Sequence, residues 1–159
     1  MISMLDFQAS RWTMSEEVAP QAGNDHPTSI PTGVFATKDG HINIAASGDI
    51  MWERLCEIFE DSEMAENPDF ADGGTRSENR VAVNVAIAGH TAKRTSAEWI
   101  EVLSGAGIPC GPIYSIDEVF ADEQVQHLNL RHPVHHETLG DVDLLATPLN
   151  FSRYQPRTG

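Results

Sequence analysis

Residues 34–46, which read VFATKDGHINIAA, decide the fold of this chain. Two runs rich in strand-forming residues flank Asp39-Gly40, a dipeptide that tolerates the positive φ of a tight turn and therefore favours a β-hairpin. Ile42, Ile44 and Ala46 occupy alternate positions, so they share one face of the second strand. The stretch predicts an antiparallel hairpin with one buried face.

A helix is predicted directly after this hairpin. Apolar residues recur there at i, i+3, i+4 and i+7, the spacing of an amphipathic helix of about three turns. They are Trp52, Leu55, Cys56 and Phe59. Asp49 precedes them and is interpreted first as the N-cap of this helix. Because a strand-to-helix junction can present a side chain to a cleft, Asp49 is also a candidate functional acid.

Further helices are indicated by the Ser/Thr-x-x-Glu capping box. The three boxes are Thr75 to Glu78, opening a helix to about Thr91, Thr95 to Glu98, and Ser115 to Glu118. Gly105 and Gly107 are expected to close the second of these helices. Residues 131–137 and 142–146 predict a second hairpin, and residues 2–19 a first helix that lacks a capping residue. The predicted class is α+β, with antiparallel hairpins packed by several helices and preceded by a linker helix.

Composition limits the classes of partner. The chain has 159 residues and a formal net charge of -14. Such a chain repels phosphate backbones and anionic lipids, so neither nucleic acid nor a membrane surface is an expected partner. The sequence has no apolar run of the length a membrane span needs. Cys56 and Cys110 show no disulfide spacing, which favours buried thiols and a cytoplasmic location.

Few residues form a recognisable chemical site. His132, His135 and His136 are clustered, but neighbouring strand residues face opposite sides, so surface histidines are favoured over a metal site. Cys110 has no adjacent base to activate it as a nucleophile. The loop at residues 23–31 is the feature of most interest, because binding groups often lie on loops held by a rigid scaffold. By composition alone, the same loop could be a passive linker.

Four segments together resemble the C-terminal half of the family III CoA-transferases of the CaiB/BaiF type, which include formyl-CoA transferase, carnitine CoA-transferase and alpha-methylacyl-CoA racemase. The segments are ISMLDFQA (2–9), GNDHPTSIPTGVFATKDGHINIAAS (23–47), WERLCEIF with NPDFADGGTRSENR (52–59 and 67–80), and SAEWIEVLSGAGIPCGPIYSIDEVFADEQVQHLNL (96–130). The most specific stretches are residues 107–112, residues 122–125, and Gly23-Asn24 with His26-Pro27. The resemblance extends to about Phe151.

This resemblance implies a domain organisation. Residues 1–22 become a linker helix from a large domain absent from this chain, and residues 23–150 the small α+β domain. Residues 151–159 begin a segment that returns to the large domain. The catalytic aspartate of the transferases lies in the large domain, so no catalytic residue is expected in this chain. The resemblance also implies an interlocked homodimer, with a coenzyme A thioester and a carboxylic acid as substrates and no permanently bound cofactor or metal.

Some roles follow residue by residue. The 23–31 loop matches a loop that covers the acyl group, so its substrate-adjacent residues are expected to be Asn24, His26, Pro27, Thr28 and Ser29. That loop is glycine-rich and moves in formyl-CoA transferase. Here it has no glycine run, which argues against the same motion and against formyl or oxalyl substrates. Asp49 lies near an acidic residue that supports the catalytic base of the racemase.

Three functions remain open from the sequence. The first is part of a transferase that moves CoA between carboxylic acids, with the chain inactive alone. The second is part of an alpha-methylacyl-CoA racemase, in which a histidine and an aspartate move the α-proton. The third is a non-enzymatic acidic binding or assembly module.

Overall fold

The structure, a computed structural model, describes residues 5–147 and 152–153. Its chain divides into two compact units, Met1–Ile113 and Tyr114–Gly159, and each is described by itself. The domain boundaries expected from the sequence, after residues 22 and 150, remain predictions. Residues 2–4 of the predicted first helix and, apart from residues 152–153, the predicted returning segment at 151–159 lie outside the described residues.

A three-stranded antiparallel sheet organises the first unit. Its strands are β1 (Thr32–Ala36), β2 (His41–Ala45) and β3 (Cys110–Pro112), in the order β1-β2-β3. Phe35 pairs with Ile42, so the hairpin predicted from Asp39-Gly40 is confirmed. The turn closes where the Thr37 amide donates to the Gly40 carbonyl at 2.9 Å. Ile42 and Ile44 are fully buried, as their alternation predicted.

Helices cover the sheet of the first unit. They are α1 (Asp6–Ser15), α2 (Asp49–Phe59), α3 (Ser62–Ala65), α4 (Gly73–Glu78), α5 (Arg80–Thr91) and α6 (Ser96–Gly105), with a 3-10 turn at Pro68–Phe70. The apolar stripe predicted for α2 is buried along its whole length. It packs with Val83 and Ile87 of α5 and Leu103 of α6, all without solvent exposure. Burial of these faces is the main stabilising contribution to this unit.

Two predicted helix starts are wrong. Gly48, in a glycine-favouring conformation with φ 91°, precedes α2, and Asp49 is its first helical residue rather than its N-cap. The box predicted from Thr75 to Glu78 lies three residues earlier. The Asp72 carboxylate accepts the Gly74 and Thr75 amides at 2.8 and 2.9 Å, and the Thr75 hydroxyl accepts the Asp72 amide. Asn79 then separates α4 from α5, so one predicted helix is two.

The first helix, predicted to run to residue 19, ends at Ser15, where Glu16 adopts a left-handed conformation with φ 54°. The boundaries predicted for α6 are closer to the structure. Glu98 accepts the Thr95 amide at 2.8 Å and the Thr95 hydroxyl accepts the Glu98 amide, which confirms the second capping box. The chain leaves α6 through Gly107, whose φ of 74° is the left-handed conformation that glycine adopts without strain. Gly105 is the last residue of α6.

The second unit is a helix pair and a hairpin. Its elements are α7 (Ile116–Ala121), α8 (Glu123–His127), β4 (Arg131–His136) and β5 (Gly140–Leu145). Glu118 accepts the Ser115 amide at 2.7 Å, as the third capping box predicted. Antiparallel pairing of Val134 with Val142 confirms the second hairpin. Antiparallel hairpins with packed helices confirm the predicted α+β class.

Candidate functional site

The 23–31 loop is fixed to the sheet at its second end. Ile30 and Pro31 are buried, and the Pro31 carbonyl accepts the Ala46 amide at 2.9 Å. The His26 amide donates to the Thr32 carbonyl at 2.8 Å, which brings the middle of the loop back to the start of β1. The loop is therefore a packed part of the first unit.

The His26 side chain organises the tip of this loop. Its Nδ1 accepts the Ser29 amide at 2.9 Å and the Thr28 amide at 3.3 Å. With Nδ1 acting as an acceptor, a neutral ring carries its proton on Nε2, which makes Nε2 a donor. The ring is half-buried and stacks on Phe7, with 5.5 Å between the ring centroids. His26 is thus held in one orientation by contacts on its face and on its edge.

Helix α5 holds the other side of the loop. Arg80 Nη2 donates to the Pro27 carbonyl at 2.9 Å, and Asn84 Nδ2 donates to Asp25 Oδ1 at 3.1 Å. The Asp25 carboxylate also lies against Gly33, where an added Cβ would come within 2.7 Å of Oδ1. Sequence reasoning missed Arg80, Asn84 and Gly33, because their partners in the loop are supplied by the tertiary fold and no local motif marks them.

Asp49 is part of an ion pair. Its Oδ1 accepts Nη2 of Arg76 at 2.5 Å; the Arg76 side chain is fully buried, whereas that of Asp49 is 65% exposed. A guanidinium without water is costly unless it is paired, so this carboxylate stabilises the buried charge. Asp49 therefore lies at the surface, at the start of α2, and its position is fixed by the buried Arg76 side chain.

The surroundings of Arg76 complete this arrangement. Nη1 donates to the Phe70 carbonyl at 2.8 Å, and the guanidinium carbon lies 5.2 Å from the centroid of the Trp52 ring. Within the described part of the chain, Arg76 Nε and Trp52 Nε1 are buried without a hydrogen-bond partner. Asp49 is thus the acidic partner of Arg76, while an aromatic face and a carbonyl supply the remaining stabilisation.

Two histidines of the second unit have local hydrogen-bond partners. His135 Nδ1 lies 2.8 Å from Asp141 Oδ1, and His136 Nδ1 accepts the amides of Thr138 and Leu139. Among residues 5–147 and 152–153, no group of three or more His, Cys, Asp or Glu side chains is arranged to hold a metal ion. His136 therefore caps the hairpin turn, and His135 pairs with Asp141 across the hairpin.

Two further groups have structural roles in the first unit. His90 stacks on Phe59 with 4.5 Å between the ring centroids, and its Nε2 lies 2.8 Å from Asp61 Oδ2. The Met64 amide and then the His90 ring, both hydrogen-bonded to the Asp61 carboxylate, lower its pKa.

Burial raises the pKa of the Cys56 thiol to about 11, so this cysteine is not a thiolate nucleophile.

Cys110, the other cysteine, is half-buried in β3, and its Sγ lies 3.4 Å from the Ser104 hydroxyl. Among the described residues, Cys110 Sγ contacts this hydroxyl and the Ile100 carbonyl, and neither is a base. The geometry gives Cys110 no activating group.

The second unit has a cleft of about 640 Å³. Its lining includes Phe120, Leu144 and Leu145, with Arg131 and Asp143 at its polar side. Arg131 is already paired with Asp143 through two nitrogens, so the charge of this guanidinium is matched within the hairpin. The cleft is therefore mainly apolar and has no unmatched cation in its described lining to bind an anionic substrate.

Comparison with known proteins gives a consistent result. The model of CoA-transferase family III matches residues 1–159. Succinyl-CoA:glutarate CoA-transferase of Mus musculus is 26% identical over 97% of this chain and 35% of its own length. Succinyl-CoA:mesaconate CoA-transferase of Haloarcula hispanica is 28% identical over 100% and 40%. Succinate–glutarate CoA-transferase of Agrobacterium fabrum is 29% identical over 99% and 41%.

Solved structures have the same fold. A CaiB/BaiF family protein from Brucella suis superposes with a TM-score of 0.82 and 26% identity, covering 98% of this chain and 40% of that one. Rv3272 from M. tuberculosis superposes with a TM-score of 0.77 at 21% identity, which supports the fold alone.

Two further observations concern the helices of this chain and its length relative to the proteins that it matches. In the part of the chain that the structure describes, no helix is long and apolar enough to cross a membrane. The chain spans about two fifths of the length of the relatives and solved structures that it matches. Since the family model matches the chain over its whole length, this protein belongs to CoA-transferase family III.

Proposed function

We propose that this chain is the C-terminal part of an enzyme that moves CoA from an acyl-CoA thioester to a free carboxylic acid. The observation that carries the proposal is the family match over all 159 residues, together with relatives named as CoA-transferases. The catalytic aspartate and most of the CoA site belong to a preceding large domain, so the chain alone has no transferase activity. The full enzyme is a cytoplasmic, interlocked homodimer.

The substrates that we propose are dicarboxylic acids. The names of the three relatives above each pair succinate with a second dicarboxylic acid, glutarate or mesaconate. A net charge of -14 fits a division of labour in which another domain supplies the basic groups for the CoA phosphates. This chain then contributes mainly to recognition of the acyl group.

The 23–31 loop is the proposed acyl-side surface. Asn24, His26, Pro27, Thr28 and Ser29 lie on a loop that is anchored to the sheet and to α5, as a binding surface requires. With its Nδ1 occupied by backbone amides, His26 has Nε2–H as the donor for a substrate oxygen. A rigid loop bearing a fixed donor suits recognition of a carboxylate or carbonyl.

A racemase is the second candidate, and the Asp49–Arg76 pair favours it. A surface carboxylate fixed by a fully buried guanidinium is suited to orient a base on a neighbouring domain. Exchange of the α-proton of a 2-methylacyl-CoA in deuterated water distinguishes the two reactions, since CoA transfer requires no α-proton exchange.

A chimera tests the transferase proposal. This chain replaces the matched C-terminal segment of the Agrobacterium succinate–glutarate CoA-transferase, and glutaryl-CoA formation from succinyl-CoA is followed by mass spectrometry. We expect turnover by the chimera and none by the 159-residue chain or the truncated parent alone. A folded chimera, verified by circular dichroism and gel filtration, that transfers CoA to no dicarboxylic acid would contradict the proposal.

A further inference from the structure

Two side chains of one helix hold the 23–31 loop from the same side. Arg80 and Asn84 are four residues apart on α5, so they project from one face of the helix. Arg80 grips the Pro27 carbonyl at 2.9 Å, and Asn84 grips the Asp25 carboxylate at 3.1 Å. Their contacts are two residues apart in the loop, which fixes the direction of the backbone there as well as its position.

Arg80 has a second informative property. It is half-buried in a chain with 24 acidic residues, yet its recorded partner in the described chain is a backbone carbonyl. Arg11, Arg76 and Arg131 instead pair with carboxylates, whereas Arg54, which also binds a backbone carbonyl, is exposed. A half-buried guanidinium that loses water and gains one hydrogen bond to a carbonyl adds little net stability. The role of Arg80 is therefore to position the loop backbone at Pro27.

The loop is closed internally as well. The His26 ring accepts the Thr28 and Ser29 amides, and its own amide donates to Thr32. Residues 24–31, NDHPTSIP, contain two prolines and no glycine, so the backbone has few alternative conformations when these bonds are in place. Internal closure and the contacts from α5 together restrain the loop from residue 25 to its end.

We propose that Arg80 and Asn84 are positioning residues that hold the 23–31 loop as a fixed wall of the acyl pocket, so that acids are selected by fit to a rigid surface. The assignment of the loop to an acyl pocket rests on the proposed function. The contacts of Arg80 and Asn84 with the loop, here called the clamp, are a property of the chain itself. A fixed wall admits the acid whose length matches it and excludes longer ones, because no loop movement enlarges the space.

Hydrogen exchange of the 159-residue chain tests the clamp without any activity. The variants are Arg80→Met and Asn84→Asp, which remove the donor and place a carboxylate against Asp25. The amides of Thr28 and Ser29 are expected to exchange roughly fivefold faster or more in each variant. Arg54→Met is the matched control, since it also removes a guanidinium-to-carbonyl bond, to Ala106 at 3.2 Å, away from the loop.

A reciprocal exchange adds a rescue. In the double variant Asp25→Asn with Asn84→Asp, the donor and acceptor change places, so the bond re-forms and the Thr28 and Ser29 amides return to about the wild-type rate. Unchanged exchange rates in both single variants would overturn the clamp, and so would equal acceleration in Arg54→Met. A double variant that exchanges as fast as Asn84→Asp alone would show that the bond to Asp25 is not what holds the loop.

The same variants in the chimera test selectivity. Loosening the wall is expected to reduce the preference for glutarate over the longer adipate, measured as the ratio of kcat/KM values, about fivefold or more, through KM more than kcat. Faster exchange with unchanged selectivity would refute the fixed-wall role. An inactive wild-type chimera counts against the proposed function alone, because the exchange rates then still decide whether the clamp exists.

Discussion

Removal of the Asp49 carboxylate should expose the cost of the buried Arg76 charge. Loss of one partner from a fully buried ion pair costs about 3–5 kcal/mol. The Asp49 side chain is 65% exposed, so water replaces part of the lost interaction at Nη2. The value expected for Asp49→Ala is therefore nearer that of a single hydrogen bond to a charged group, about 2 kcal/mol.

The assay is urea unfolding followed by tryptophan fluorescence, because Trp52 lies beside the Arg76 guanidinium. With a slope of about 1–2 kcal/mol per M, the expected loss lowers the urea midpoint by about 1–2 M. Hydrogen exchange of α2 amides reports the same loss locally, which separates the first unit from the second.

Asp69→Ala is the matched control for Asp49→Ala. Asp69 is an exposed acid in the 3-10 turn between α3 and α4, and its carboxylate forms no hydrogen bond or ion pair among residues 5–147 and 152–153. In a chain of net charge -14, removal of an unpaired negative charge should leave stability unchanged or raise it slightly. If Asp49→Ala cost no more than Asp69→Ala, the buried guanidinium would not depend on Asp49, and the reasoning would be refuted.

Three other perturbations have defined outcomes. Gly33→Ala places a methyl group 2.7 Å from Asp25 Oδ1 and should lower the unfolding free energy by about 1–3 kcal/mol, measured by urea unfolding. The Asp61 carboxylate should make the unfolding free energy of wild type larger than that of Asp61→Asn. This difference should be full above the ordinary carboxyl pKa of about 3.9 and vanish as pH falls through the lower pKa of folded Asp61. Unfolding free energies measured from about pH 6 to 2 test this. Cys56 should react with a disulfide reagent at pH 8 only as the first unit opens, so that peptide mass spectrometry shows its labelling accelerating with urea; prompt labelling of the native chain would contradict this.

The parts of the fold that were predicted correctly depend on short-range chemistry. Asp39-Gly40 defines the first hairpin and the Thr95–Glu98 box opens α6, and in each case the interacting groups lie within four residues. The apolar spacing of α2 likewise identified its buried face. Such signals are complete within one turn of backbone, so the rest of the fold adds little to them.

The incorrect and missing predictions share the opposite property. The local sequence predicts that Asp49 is a helix cap. Its partner, Arg76, lies 27 residues further along the chain, so no local pattern reveals the ion pair. The contacts of Arg80 and Asn84 with the loop span 53 and 59 residues. No local pattern marks an arginine as fully buried, and the general rule for charged residues predicts the reverse.

The sequence therefore indicates a candidate loop but not the contacts that hold it. Composition and a resemblance to a known loop single out the 23–31 loop, and its lack of a glycine run argues against motion, but the sequence does not show what holds it. The side chains that hold it are on α5, in a segment for which the sequence predicts a helix to about Thr91 and no contact with the loop. Long-range pairing of this kind becomes visible only when the sheet and helices are assembled.

The hydrogen bond from Arg80 to a main-chain oxygen has a consequence for how this protein could change over time. A backbone carbonyl is present whatever amino acid occupies a position, and the two amides that donate to the His26 ring are present for every residue except proline. Side chains at positions 28 and 29 can therefore be replaced without loss of these bonds. The loop thus offers evolution, or a protein engineer, variable positions on a constant backbone, so the side chains that it presents can change without rebuilding the domain.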